Sequence, residues 1–254
     1  MPVRKIPKSY CSVTGLVAGV DSNQMTAYES SLERDCIKHL IFNRNVAVHE
    51  EQPVTICFTD KDSKLREYTP DLLATYSKDL NLTKDWKPLL IEVKYREDLF
   101  KKWSELKPKF RAARHYAEEK GWDFTIITEK EIRTTYLRNI DFLIEFRKYP
   151  VDENSTTLLL NALEELGETD PATLIASISK EPMERARLIP YLWQLVADFI
   201  VGIDLEQPLT MRSPIWSTRF EEREDCDEFF YDCGKGHSSR IRWRALRYNP
   251  CIEP

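Results

Sequence analysis

Residues 88–95 read PLLIEVKY, an apolar run interrupted by one acid and one lysine. In a β-strand, side chains alternate between two faces, so Leu90, Glu92 and Lys94 would share one face. An acid and a lysine inside an apolar strand are costly to bury unless something compensates their charges. The sequence therefore predicts a strand that presents Glu92 and Lys94 side by side toward a charged ligand.

A second acid, Asp71, lies upstream in the segment YTPD at residues 68–71. Two carboxylates can hold Mg²⁺, which prefers hard oxygen ligands and keeps several waters. A lysine beside such a water could orient it for attack on a phosphodiester. Asp71, Glu92 and Lys94 thus fit metal-dependent phosphodiester hydrolysis. The alternative is a solvated Glu92–Lys94 salt bridge with Asp71 as a turn residue.

Glu33 is a candidate for a further metal ligand, because it lies at the edge of the apolar stripe of a predicted first helix. The segment from Ser30 to Glu33 also fits a capping box, in which Glu33 would only close the start of a helix. Both interpretations stay open at this point.

The order of predicted elements in residues 1–150 is α-β-β-β-α-β-α, with three of the strands forming a meander. Capping boxes are predicted for Thr26 with Glu29 and for Thr128 with Glu131, and Pro108 should kink or split the long helix. The predicted elements are a helix at 26–43, strands at 52–59, 65–76 and 88–95, a helix at 99–120, a strand at 123–128 and a helix after Thr128.

The predicted helix at 99–120 is basic and aromatic. Residues 101–120 contain seven Lys or Arg residues against three acids, with Trp103, Phe110, His115 and Tyr116 interleaved. This composition fits a helix that contacts phosphates. It fits equally well a solvated face with a buried aromatic stripe.

Charge and composition divide the chain. Residues 1–150 carry 26 Lys+Arg against 23 Asp+Glu, whereas residues 151–216 carry 4 against 11. Pro150 and the polar stretch after it predict a linker at 149–155. The predicted domains are a catalytic domain at 1–150, a smaller domain at 151–216 and a charged tail at 217–254.

The smaller domain is predicted to be winged-helix-like, because three helices at 156–166, 171–179 and 182–198 precede a hairpin at 199–204 and 209–215. The predicted order of elements gives an α/β fold class, with a mixed sheet in the first domain, then a small α+β domain and a C-terminal tail. The excess of acidic over basic residues in 151–216 favours binding of this domain to protein over binding to DNA.

The remaining composition excludes several classes of protein. No apolar run is long enough to span a membrane, and the N-terminus lacks the apolar region of a secretory signal. Six scattered cysteines predict thiols in a reducing compartment. Zinc binding is not favoured, since the spacing of Cys226, Cys233, His237 and Cys251 does not match structural zinc sites.

Four segments resemble one family: SSLERD around Glu33, YTPDLL around Asp71, IEVK with Glu92 and Lys94, and RHYAEEKGWDFTIITEKEI at 114–132. They span about residues 28–132 and are similar to the TnsA endonuclease subunits of heteromeric cut-and-paste transposases. Some members of that family carry glutamine at the position of Glu92, but a carboxylate is the more ordinary metal ligand.

The resemblance implies a restriction-like fold with Glu33, Asp71, Glu92 and Lys94 in the active site. We assign Glu33, Asp71, Glu92 and Val93 to a bound Mg²⁺, for which Mn²⁺ could substitute. The implied substrate is double-stranded DNA at transposon ends, cleaved on the 5′ (non-transferred) strands. The implied partners are a DDE-type transposase subunit (TnsB-like) and an AAA+ ATPase regulator (TnsC-like), with a bacterial cytoplasmic location and no membrane association.

Two alternatives remain at this stage. One is a stand-alone restriction or repair endonuclease, which should cut DNA unaided. The other is a winged-helix DNA-binding regulator whose nuclease domain is inactive. The presence of all four site residues argues against the inactive form.

Overall fold

The computed structural model describes residues 15–18, 25–77 and 86–218 of the chain. These residues form two compact units that divide between Arg133 and Thr134. The linker predicted at 149–155 lies inside the second unit. The segment before it belongs to that unit because Arg147 donates to the carbonyl of Ala197 at 2.9 Å and Phe142 packs edge-on against Trp193.

The first unit contains eight strands and three helices among its described residues. They are β1 (Gly15–Ala18), β2 (Met25–Tyr28), α1 (Ser31–Phe42), β3 (Val46–Glu51), β4 (Ile56–Thr59), β5 (Leu65–Tyr68), β6 (Leu72–Tyr76), β7 (Leu89–Val93), α2 (Arg96–Glu119), β8 (Asp123–Ile127) and α3 (Glu129–Ile132).

The central sheet of the first unit is mixed, as the sequence predicts. Its strand order is β3-β6-β7-β8. The first three strands run antiparallel, with Leu72 opposite Ile91, whereas β7 and β8 are parallel, with Glu92 opposite Ile126. All five residues of β7 are buried, so the strand that carries Glu92 lies in the interior of the sheet.

The predicted three-strand meander is wrong in detail. The predicted strand at 65–76 is two strands, β5 and β6, which belong to different sheets, and β5 pairs only with β4 among the described strands. The break falls at Thr69-Pro70-Asp71, where Pro70 has no backbone N–H to donate to a ladder. Strand β3, which the sequence did not predict, supplies the edge of the central sheet instead.

The first helix begins later than predicted. Met25–Tyr28 is a strand, so Thr26 does not cap a helix. Helix α1 begins at Ser31 with Ser30 as its N-cap, whose side chain accepts from the backbone N–H of Glu33. The capping box of Thr128 with Glu131 is confirmed at the start of α3.

Helix α2 packs the β4–β5 hairpin against the central sheet. The backbone of α2 departs from helical φ and ψ angles at Lys102. Pro108 lies within the longer part of the helix, which follows Lys102. Ala113 and Ala117 of this part are buried in one cluster with Ile56, Tyr68 and Leu90. This packing places the end of β5 and the middle of α2 beside β7.

The second unit consists mainly of helices. Its described elements are α4 (Thr135–Leu143), a 3₁₀ turn (Phe146–Lys148), α5 (Glu153–Leu166), α6 (Pro171–Ile178), α7 (Pro182–Ala197), β9 (Val201–Ile203) and β10 (Ile215–Ser217). The three predicted helices are confirmed as α5, α6 and α7. The strands of the predicted hairpin are shorter and later than expected, and β9 pairs antiparallel with β10.

Asp152 and Asp170 cap α5 and α6, each accepting from a backbone N–H three residues on. In the described part of the chain, no helix is both long and apolar enough to cross a membrane. Most of the tail predicted at 217–254 lies outside the described residues.

Candidate active site

Three of the four predicted site residues meet at the end of β7. The Lys94 ammonium lies 3.2 Å from Glu92 Oε1 and 3.6 Å from Asp71 Oδ2. Asp71 precedes β6, and its Oδ2 accepts a hydrogen bond of 2.7 Å from the backbone N–H of Val93. The antiparallel pairing of β6 with β7 therefore brings Asp71 to the residues of the IEVK segment.

A set of oxygen atoms surrounds the Lys94 ammonium. Besides the two carboxylates, Lys94 Nζ donates to the carbonyl oxygen of Val93 at 3.1 Å. Two carboxylates and one carbonyl thus converge on one cation. All three are hard oxygen ligands of the kind that Mg²⁺ prefers.

Glu92 is only 1% exposed and has two further partners. The Tyr68 hydroxyl donates to its Oε2 at 2.5 Å, and Lys109 Nζ donates to its Oε1 at 2.9 Å. Burial and the nearby charge of Glu92 raise the pKa of Tyr68, so this hydroxyl stays protonated and keeps donating. The Glu92 carboxylate is therefore held by Tyr68 of β5 and Lys109 of α2, as well as by Lys94.

Lys109 and Tyr68 were not predicted as site residues. Lys109 was counted only among the basic residues of its helix, yet its Nζ lies 4.5 Å from the centroid of the Tyr68 ring and 5.0 Å from that of Phe110. A signal was present in the sequence, because Lys109, Ala113 and Ala117 recur at helical spacing. A lysine on an otherwise buried stripe needs a partner.

Glu33 lies in the first turn of α1, and half of the capping box predicted for it is present, since the Ser30 side chain accepts from the Glu33 backbone N–H. Its Oε2 accepts from the backbone N–H of Glu29 at 2.8 Å, and its Oε1 accepts from the Ser30 hydroxyl at 2.9 Å. It is also within electrostatic range of the site, since its charge contributes to raising the pKa of Asp71. Burial raises the pKa of Glu33 itself, while Lys94 opposes that shift.

The Asp71 carboxylate lies close to the negative charges of Glu92 and Glu33. Burial and the neighbouring charge of Glu92 raise the pKa of Asp71 well above its ordinary value. Burial alone would lower the pKa of Lys94, but Asp71 and Glu92 together raise it. The site therefore favours a cation among its oxygen atoms.

An open cleft of about 740 Å³ gives access to these groups. Asp71, Glu92, Lys94 and Lys109 line it together with residues of the β4–β5 hairpin, including Tyr68. In residues 15–18, 25–77 and 86–218, no three His, Cys, Asp or Glu side chains are arranged to hold a metal ion. Mg²⁺ is commonly bound through only one or two carboxylates plus waters, so the donor set still fits it. The Cys226, Cys233, His237 and Cys251 set lies outside the described residues.

The fold and this cluster together define a class: a mixed α/β domain that presents two acids and a lysine at the end of a central strand, as nucleases do. Two family models then match successive parts of the chain. The TnsA-like endonuclease N-terminal model matches residues 43–129, and the TnsA endonuclease C-terminal model matches residues 131–205.

The chain therefore belongs to the TnsA endonuclease family. This membership implies a nuclease subunit of a transposase, with DNA as its substrate and transposase proteins as its partners. The two matches meet close to the division between the two structural units at Arg133. A comparison with curated proteins gives no match.

Proposed function

We propose that the protein is a Mg²⁺-dependent endonuclease subunit that cleaves the 5′ strands at transposon ends. The observation that carries the proposal is the convergence of the Asp71 and Glu92 carboxylates and the Val93 carbonyl on one position, which the Lys94 ammonium occupies in this structure. Glu33 is proposed as a further ligand, and to bind the metal ion its carboxylate would have to give up its present contacts with Glu29 and Ser30. Mn²⁺ would serve in place of Mg²⁺.

When bound, the metal ion would acidify a water and offset charge on the phosphodiester. Asp71, Glu92 and the Val93 carbonyl would hold it. Lys94, released from the oxygen atoms that surround it here, would orient the attacking water and offset negative charge. Tyr68 would fix the Glu92 carboxylate through Oε2, and Lys109 would fix it through Oε1.

The second unit would serve partner binding. We propose that it is winged-helix-like and docks the ATPase regulator or the transposase subunit, because residues 151–216 carry 4 basic against 11 acidic side chains. Such a surface repels a DNA duplex and attracts a basic protein partner.

The direct test is cleavage of transposon-end DNA by the full chain, with and without the DDE-type transposase subunit of the same transposon. We expect 5′-strand cleavage that requires both Mg²⁺ and the transposase subunit. Efficient cleavage by the chain alone would instead identify a stand-alone endonuclease. Absence of cleavage in the complete mixture, together with DNA binding, would identify an inactive regulator.

Replacing Lys109 by methionine tests the contact to Glu92. We expect cleavage to fall about 10- to 100-fold, which is typical when a group that orients a metal ligand is removed. Lys109→Arg, which keeps a charged donor, should recover part of that loss. Lys107→Met is the matched control on the exposed side of the same helix and should cleave normally. Equal cleavage by the two methionine variants would contradict the positioning role.

Glu33→Gln distinguishes the metal role of Glu33 from its capping role. As a ligand, Glu33 should be needed for Mg²⁺-dependent cleavage, which we expect to fall by a factor of about 10² or more, with little change in melting temperature. A residue that only caps α1 would behave in the opposite way. Its replacement would cost about 1 kcal/mol of stability and leave cleavage intact. Cleavage rates and melting curves of the same preparations decide between the two.

A further inference from the structure

Gln52 lines the active-site cleft and combines two unfavourable features. It follows β3 with a φ of 46°, in the left-handed region that residues other than glycine rarely adopt. Its side chain is 8% exposed, and its amide oxygen is buried with no hydrogen-bond partner among the residues that the structure describes. The backbone conformation and the unsatisfied oxygen both cost free energy. A glycine would avoid both costs, so we looked for a function in the contacts that this glutamine makes.

The contacts of Gln52 reach two acids of the cleft. Its backbone N–H donates to the carbonyl oxygen of Asp71 at 2.9 Å, which extends the pairing of β3 with β6 by one residue. Its side-chain Nε2 donates to Glu29 Oε1 at 3.0 Å. The amide nitrogen must face Glu29, because an ionised carboxylate accepts hydrogen bonds and would repel the amide oxygen. Gln52 therefore connects Glu29 to the backbone of a proposed metal ligand.

Glu29 lines the same cleft as Asp71 and Glu92. Its backbone N–H donates to Glu33 Oε2 at 2.8 Å, so it also adjoins the fourth predicted site residue. Gln52 holds its Oε1, whereas its Oε2 has no hydrogen-bond partner in the described part of the chain. A carboxylate repels DNA phosphates, so this free oxygen suits a hydrogen-bond donor or a cation. The waters that Mg²⁺ keeps when it binds to proteins are donors of this kind.

We propose that Gln52 is a positioning residue of the active site, which holds Glu29 so that its free carboxylate oxygen accepts from water bound to the metal ion. The inference rests on the proposed metal-dependent nuclease function. One residue serves both acids, since the N–H of Gln52 supports the backbone of Asp71 while its side chain orients Glu29. Removal of groups that act on a metal ion from outside its ligand shell typically lowers metal affinity by about 10- to 100-fold.

The test is binding of Mn²⁺ alone to the full chain without DNA, measured from the electron paramagnetic resonance signal of the free ion. Glu29→Gln keeps an oxygen that accepts from Gln52 but removes the charge, and we expect Mn²⁺ affinity to fall about 10-fold. Gln52→Gly adopts the left-handed backbone without strain and keeps the N–H to Asp71, so it removes only the side-chain contact. We expect a similar fall in affinity for this variant.

Glu67→Gln is the matched control. Glu67 lines the same cleft and is exposed, and it has no hydrogen-bond partner among the described residues. Its replacement removes the same charge as Glu29→Gln and should leave Mn²⁺ affinity unchanged. An equal loss of affinity in Glu67→Gln would show that only the total charge of the cleft matters, and it would reject the inference.

The double variant Glu29→Gln/Gln52→Gly tests whether the two residues act as one unit. If Gln52 acts through Glu29, the double variant should bind Mn²⁺ no more weakly than Glu29→Gln does. Additive losses, or wild-type affinity in either single variant, would reject the inference. Melting curves of the same preparations establish that each variant is folded. Asparagine tolerates the left-handed region and is one methylene shorter, so Gln52→Asn takes the place of Gln52→Gly if the glycine variant does not fold.

Asp71→Asn separates failure of the inference from failure of the proposed function. If Asp71→Asn loses Mn²⁺ affinity and cleavage while Glu29→Gln keeps wild-type affinity, the nuclease function stands and the role of Gln52 and Glu29 is wrong. If Asp71→Asn keeps both Mn²⁺ affinity and cleavage, the proposed metal site is wrong and the inference falls with it.

Discussion

Replacing Asp71 by asparagine or Lys94 by methionine is expected to reduce 5′-strand cleavage by a factor of about 10³ or more, with the protein still folded. Asp71 is proposed as a metal ligand and Lys94 as the group that orients the attacking water. Asparagine is the sharper replacement for Asp71, because its side-chain oxygen can still accept from the backbone N–H of Val93. Alanine would leave that N–H without its acceptor.

The assay for these variants is single-turnover cleavage of transposon-end DNA in the presence of the transposase subunit and Mg²⁺. Two exposed residues of the turn between β4 and β5 provide matched controls, namely Asp62→Asn and Lys64→Met. They remove the same charges at a distance from the Glu92 carboxylate. Wild-type cleavage by either site variant would remove that residue from the proposed mechanism.

Glu92→Ala is expected to lose both cleavage and stability. Glu92 is buried and accepts from Tyr68 and Lys109 while facing Lys94, so its removal leaves these donors without their shared acceptor. Removing one partner of a buried ion pair costs about 3–5 kcal/mol, and the partial exposure of Lys109 favours the lower end. At about 2–4 °C per kcal/mol for a chain of this size, the melting temperature should fall by about 6 °C or more.

Glu92→Gln is the matched control for this effect. Its amide oxygen can accept from the lysines while its amide nitrogen donates to the Tyr68 oxygen, so the fold should be kept. We expect cleavage between that of the wild type and that of Glu92→Ala, because an oxygen ligand remains but its charge is lost. Thermal melting and cleavage measured in parallel test both expectations. An unchanged melting temperature for Glu92→Ala would show that the contacts of Glu92 do not stabilise the unit.

The sequence by itself determined the features that depend on local chemistry. The two-residue period of PLLIEVKY predicted that Glu92 and Lys94 would lie together, and they do. The strand at 123–127 and the capping box of Thr128 with Glu131 were also predicted, since each involves residues close in the chain. The chemistry of a metal site grouped these residues with Asp71, and the resemblance of the YTPDLL and IEVK segments to one family supported that grouping.

Other features were decided only by the tertiary structure. The split of residues 65–76 between two sheets depends on which partner each half finds, and one apolar pattern fits either pairing. The contacts of Glu92 with Tyr68 and Lys109 join residues 24 and 17 positions apart. They form only because α2 packs the β4–β5 hairpin against the central sheet. Such contacts follow from the packing of whole elements, and the spacing of residues along the chain does not encode them.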